Sequence, residues 1–141
     1  MASPEQAAVR AKKVLIIDDD RDFRDYLASL AALRCRNVVT AEDGEAGLAL
    51  AQRELPNLIL LDMKMPGMNG LELLDLLQQQ TQTTDIPVLI LTGSHFDPKT
   101  RLLFEKAPNV KAFLAKTSPG KQVLEEIDRL LGKPALGPAQ R

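Results

Sequence analysis

The chain has 141 residues, 45% apolar and 26% charged, with a formal net charge of −1; that suits one domain with a buried core. Nothing in this near-neutral balance suggests the basic surface of a nucleic-acid-binding domain. Its one cysteine, Cys35, excludes an internal disulfide and a cysteine-rich metal site, and reads as a small residue packed on a helix.

Residues 1–11 are rich in alanine and polar side chains and are expected to form a flexible tail, without the apolar stretch of a signal peptide. The domain is expected over residues 12–131. Its first apolar run, Val14–Ile17, is continuous and partly β-branched, as suits a strand buried on both faces of a parallel sheet. Phe23, Tyr26, Leu27 and Leu30 then recur at helical spacing. Val38–Val39 is a weaker strand signal, and Gly44 marks a turn or helix start. Pro56 precedes a second strong run, Leu58–Leu61, and Gly67 and Gly70 punctuate the approach to a helix bearing Leu71, Leu74 and Leu77. Pro87 precedes the run Val88–Leu91, and a helix is expected from Pro98 to Lys106. Val110–Ala115 is the last strand. Ser118–Pro119 reads as a capping oxygen followed by proline at the first helical position, opening a helix with Val123, Leu124, Ile127, Leu130 and Leu131. Residues 132–141, rich in Pro, Gly and Ala, are expected to be a flexible tail or linker stub. No apolar run approaches the roughly 20 residues that span a membrane, so no membrane contact and a cytoplasmic setting are expected.

Five alternations of strand and helix predict an α/β domain with a doubly wound five-stranded parallel sheet. In such a sheet, ligands bind beyond the carboxyl ends of the strands. The residues there are Asp18–Asp20, Asp62, Thr92–Ser94 and Lys116–Ser118, while Ala41–Gly44 after the second strand looks like an ordinary turn. Bringing Asp18, Asp19 and Asp62 together uncompensated raises their pKa values and opposes folding. A hard cation such as Mg²⁺ resolves this, and Lys116 adds positive charge. A carboxylate can attack phosphorus, and phosphoryl transfer needs in-line positioning, a metal, and donors for the remaining oxygens. The Lys116 ammonium and the Thr92 hydroxyl, with a backbone N–H, match that inventory.

Four segments carry a resemblance: Val14–Asp20, Leu60–Gly70, Val88–Gly93 and Phe113–Lys116. Together the chain resembles the receiver domain of two-component response regulators. The resemblance implies a (βα)5 flavodoxin-like fold with strand order 2-1-3-4-5. It implies Asp62 as phosphoacceptor, with Thr92 and Lys116 as its catalytic companions and Thr92 and Phe113 as switch residues. It places Mg²⁺ on Asp19 directly, Asp18 through water, Asp62, and the backbone carbonyl of Lys64. Implied partners are a histidine kinase or histidine phosphotransfer protein and a downstream effector protein. The last helices are where a homodimer would form, and no nucleic acid would bind this domain. The domain would be a signalling switch rather than an enzyme, with only self-phosphorylation and dephosphorylation chemistry, in which Lys64 and Ser94 flank the site and tune the lifetime of the phosphate.

Simpler roles stand beside these. Asp20 reads as a helix cap, and Met63, Met65 and Met68 lack the Cys or His partners of a soft-metal site. His95, the one histidine, has no partner constellation for catalysis. Three departures from the receiver pattern are visible. Thr117 follows Lys116 where receivers usually carry a cis-linked proline, and without proline a cis bond costs ~3 kcal/mol. Ala107–Val110 lengthens the stretch between Thr92 and Lys116. Phe113 lacks the hydroxyl of the commoner tyrosine. Competing readings are a degenerate receiver used as a phosphorylation-independent protein-binding module, and an aspartate-nucleophile phosphatase. The latter wants a second Asp where Lys64 stands. A nucleotide-binding domain is weaker, since no glycine-rich loop follows the first strand.

Overall fold

The computed structural model describes residues 3–65, 67–93 and 98–132. Pro66, Ser94, His95 and the C-terminal segment after Gly132 therefore lie outside the described residues.

Five parallel strands form one sheet in the order β2-β1-β3-β4-β5: β1 (Lys13–Ile17), β2 (Asn37–Ala41), β3 (Leu58–Asp62), β4 (Val88–Thr92) and β5 (Val110–Ala115). The helices are α1 (Pro4–Arg10), α2 (Arg21–Ala32), α3 (Gly44–Glu54), α4 (Gly70–Gln78), α5 (Pro98–Glu105) and α6 (Gly120–Leu130). The expected doubly wound architecture and strand order are thus the observed ones.

Side chains alternate across a strand, so each central strand feeds two separate cores. Leu15, Ile17, Ile59, Leu61 and Ile90 pack with Leu73, Leu74 and Leu77 of α4 and Phe104 of α5. Val14, Ile16, Leu58, Leu60, Leu89 and Leu91 pack with Leu27 of α2 and Val123 and Ile127 of α6. Cover on both faces is why these runs are uninterrupted in sequence. Each such side chain contributes roughly 1.5–3 kcal/mol when fully buried. Close approach of α3 requires Gly47, whose added Cβ would lie 2.6 Å from Ile17 Cδ1.

Three local features differ from the sequence expectations. Where a tail was expected over residues 1–11, Pro4–Arg10 is helical. Ser3 and Gln6 form a reciprocal capping box, with Gln6 N donating to Ser3 Oγ at 3.1 Å and Ser3 N donating to Gln6 Oε1 at 2.8 Å. Val9 is buried in the cluster that holds Cys35 and Leu131, and Arg36 N donates to the Arg10 carbonyl at 3.0 Å.

At the other end of the chain, α6 starts at Gly120 with Pro119 itself as N-cap and no side-chain cap bond. Ser118 is instead part of the preceding turn, its N–H donating to the Ala115 carbonyl at 2.9 Å.

The extra length before Lys116 is absorbed at the sheet edge. Val88 pairs with Val110 but Leu89 with Ala112, so Lys111 bulges out of register. The helix before it ends at Glu105, one residue short of expectation.

Candidate functional site

Pairing registers bring the strand ends level: Ile17 opposite Leu61, Asp62 opposite Leu91, and Thr92 opposite Ala115. Asp18, Asp62, Thr92 and Lys116 consequently meet at one edge. Asp19 joins them from the β1–α2 loop, and one carboxylate oxygen each of Asp18, Asp19 and Asp62 lies within 4.8 Å of the others.

Asp18 is 1% exposed and tightly held. Its Oδ1 accepts from Asp20 N at 2.9 Å, and its carbonyl accepts from Arg24 Nη1 at 2.7 Å. Asp20 is the N-cap of α2, as read from the sequence, accepting from Asp22 N and Phe23 N. Asp62 is 6% exposed, with Oδ1 3.4 Å from the donating Lys64 N. Lys116 Nζ lies 2.9 Å from Asp18 Oδ2 and 3.5 Å from Asp62 Oδ2. The Asp18 contact is the closer of the two ion pairs and engages an otherwise unpartnered buried oxygen. No cis peptide occurs among the described residues, so Lys116–Thr117 is trans and the ammonium still reaches both carboxylates.

Negative charge is in excess here. Burial, then the charge of Asp18, push the Asp62 carboxyl from 3.8 up to about 7, against the smaller pull of Lys116 and the Lys64 N–H. For Lys116, burial alone works downward, but contact with Asp18 and Asp62 outweighs it and its pKa is raised. Three hard oxygen donors, with the Lys116 ammonium shared between two of them, fit a hard divalent cation such as Mg²⁺.

Other predicted site residues stand further back. Thr92 is buried, and its hydroxyl donates to the Gly93 carbonyl at 2.8 Å. Phe113 is half-buried beside Phe104 (centroids 6.4 Å apart, edge-on), with the Arg101 guanidinium 4.9 Å above its ring. Lys64 is exposed, whereas Met63 and Met65 are core residues. Sequence reasoning missed Phe23, assigned there only to a helix face. Its ring lies 4.8 Å from Lys116 Nζ. It missed Arg24 too, for nothing in a helical pattern announces a side chain that returns to the preceding loop. A groove of about 500 Å³ runs beside the cluster, walled by Asp19, Lys64, Asn69 and Thr100 over Met65 and Phe104.

Residues 14–128 match the family described as response regulator receiver domain. The chain belongs to that family. The receiver is 31% identical over 119 residues to protein PilH of Pseudomonas aeruginosa, covering 84% of this chain and 97% of that one. It is 41% identical over 87 residues to the transcriptional regulatory protein CpxR of Escherichia coli, 60% of this chain but only 36% of CpxR. Among solved structures, chemotaxis protein CheY4 of Vibrio cholerae superimposes with a TM-score of 0.76 at 27% identity, covering 84% of the receiver and 98% of CheY4. The N-terminal domain of a Wolinella succinogenes protein, WS1339, gives 0.78 at 28% identity, covering 85% of this chain and 94% of that one. Among the described residues of the receiver no helix is long and apolar enough to cross a membrane.

Proposed function

We propose that this receiver accepts a phosphoryl group on Asp62 from a histidine kinase or histidine phosphotransfer protein, and signals to a downstream effector protein through its surface. The observation that carries the reading is the convergence of Asp18, Asp19 and Asp62 with the Lys116 ammonium set between two of them. Residues 12–131 form the working unit, acting in the cytoplasm.

Asp18, Asp19, Asp62 and the Lys64 carbonyl would hold Mg²⁺. When bound, the ion supplies the charge that ionises Asp62 and offsets negative charge on the phosphoryl oxygens. A free Asp62 carboxylate oxygen attacks phosphorus in line. The new P–O bond forms as the P–N bond to the donor imidazole breaks; the imidazole keeps the electron pair and is protonated by solvent. Lys116 turns from Asp18 and Asp62 to a phosphoryl oxygen. Thr92 exchanges its bond to the Gly93 carbonyl for a stronger, charge-assisted one to another. Movement of Thr92, with Phe113 as its partner in the switch, shifts a pre-existing equilibrium of the surface around the last helices, α5 and α6. Water later attacks phosphorus, the bond to Asp62 breaks with its electron pair returning to the carboxylate, and inorganic phosphate leaves. Lys64, beside Asp62, flanks that step.

The test is incubation with MgCl₂ and acetyl phosphate, followed by intact mass measurement. One phosphate adduct is expected, absent in Asp62→Asn and absent when Mg²⁺ is chelated. No adduct in folded protein would replace this reading with that of a phosphorylation-independent binding module. Sustained turnover of a phosphate ester would point to a hydrolase.

A further inference from the structure

A lysine side chain is a flexible stem carrying a compact charge, and holding it in one place costs rotamer entropy. At Lys116 the backbone is fixed, its N–H donating to the Thr92 carbonyl at 2.7 Å. The head is drawn by two carboxylates lying beside each other. Attraction of that kind draws the head towards both acids, at 2.9 and 3.5 Å, but leaves a side chain that is 21% exposed open to water on one side. A third contact restricts it further.

The Phe23 ring provides it. The ammonium lies 4.8 Å from the ring centroid, within cation–π range. The ring is itself fixed by the loop that carries Asp18. Asp20 donates its N–H to Asp18 Oδ1 at 2.9 Å, and its carboxylate accepts from Phe23 N at 3.2 Å. Tyr26 braces the ring from the next turn, with centroids 5.6 Å apart. The Tyr26 hydroxyl in turn lies close to the start of α6, where a Cβ added at Gly120 would be 3.0 Å from it. The β1–α2 loop thus places both an acid that attracts Lys116 and the aromatic face against which it rests.

We propose that Phe23 is a positioning residue whose ring holds the Lys116 ammonium where it meets the phosphoryl group on Asp62. The inference rests on the phosphoacceptor reading and deepens it. Leucine at this position keeps an apolar body but loses the quadrupole that attracts a cation, whereas tyrosine keeps the ring face.

The experiment is a double-mutant cycle on the full chain, with folding of each variant checked by circular dichroism and thermal melts. Phosphorylation by acetyl phosphate with MgCl₂ is expected to slow about threefold to thirtyfold in Phe23→Leu and to keep most of its rate in Phe23→Tyr. In a Lys116→Ala background, Phe23→Leu should add nothing, because the residue through which it acts is gone. Equal slowing in both backgrounds would overturn the proposal and make Phe23 a packing residue alone. Proton NMR gives a reading independent of phosphorylation. The Lys116 ε-methylene protons should show an upfield ring-current shift that disappears in Phe23→Leu, and an ordinary shift in the wild type would refute the contact. If the wild type takes no phosphate while that shift is present, it is the phosphoacceptor reading that fails, and the Lys116–Phe23 contact stands.

Discussion

The two ends of the sheet treat charge in opposite ways. At the amino-terminal end of β1 charged and polar groups are paired off, although the buried side-chain amide of Asn109, just before β5, has no hydrogen-bond partner among the described residues. Lys13 Nζ meets Glu54 Oε1 at 2.6 Å, Lys13 and Asn57 exchange two hydrogen bonds of 2.8 Å, and Lys12 Nζ donates to the Leu131 carbonyl at 2.6 Å. At the carboxyl-terminal ends, three carboxylates crowd together with one ammonium meeting two of them, and Asp62 holds its proton up to about 7. One end closes the fold; the other withholds full compensation, which leaves it able to bind a cation and an anion together. Strain concentrated at one edge of an otherwise consistent structure marks a functional site.

The largest break in that contrast should come from Lys116→Met. It removes the cation beside two buried acids while keeping much of the apolar stem. Metal-free stability should fall by about 1–3 kcal/mol, less than for a fully buried pair because the side chain reaches solvent. Urea melts with and without MgCl₂ check it, since the ion should recover much of the loss. A loss untouched by Mg²⁺ would mean packing rather than charge.

Next in size is the pH response of Asp62. Its folded pKa of about 7 lies above the ordinary 3.8, so the folded state keeps a proton that the unfolded chain gives up. The stability contributed by this group is therefore complete below pH 3.8 and is lost as pH rises through about 7. Metal-free Asp62→Asn avoids that loss. Its melting temperature should exceed the wild type's by a few degrees at pH 8, with the gap closing near pH 4. A gap of the same size at both values would contradict the assigned cause.

The contrast also marks what could be read from the sequence. Val14–Ile17, Leu58–Leu61 and Val88–Leu91 were legible because strands covered on both faces have no solvent side to interrupt them. The candidate site was legible for the same reason, since the first charge after an apolar run announces the ends of β1, β3 and β5, and the Thr92 hydroxyl announces that of β4. Helix α1 was not. Its capping box is written in Ser3 and Gln6, but its apolar face reduces to Val9, whose burial depends on Cys35 and Leu131 arriving from elsewhere. Phe23 fits a helical stripe, and only the assembled fold shows that its ring faces an ammonium 4.8 Å away. Val9→Ala tests the closed end. It should cost about 1–2 kcal/mol, with the same cost with and without Mg²⁺.

The smallest effect should come from Glu54→Gln. The Lys13–Glu54 pair is the shortest side-chain ion pair among the described residues, and Lys13 and a second contact from Arg53 hold the Glu54 carboxyl below its ordinary range. Length alone would make it look important. Yet the Glu54 side chain is 24% exposed and that of Lys13 28%, so water and salt screen both groups. Losing the charge should shift the melting temperature only marginally, less in high salt than in low, and leave Mg²⁺ affinity unchanged. The Asp18–Lys116 contact at 2.9 Å is longer, but it is buried on one side and shared with Asp62, so its removal is felt by both the fold and the ion. A large, Mg²⁺-dependent effect of Glu54→Gln would mean that the two ends of the sheet are coupled, and that charge at the amino-terminal edge also serves the site.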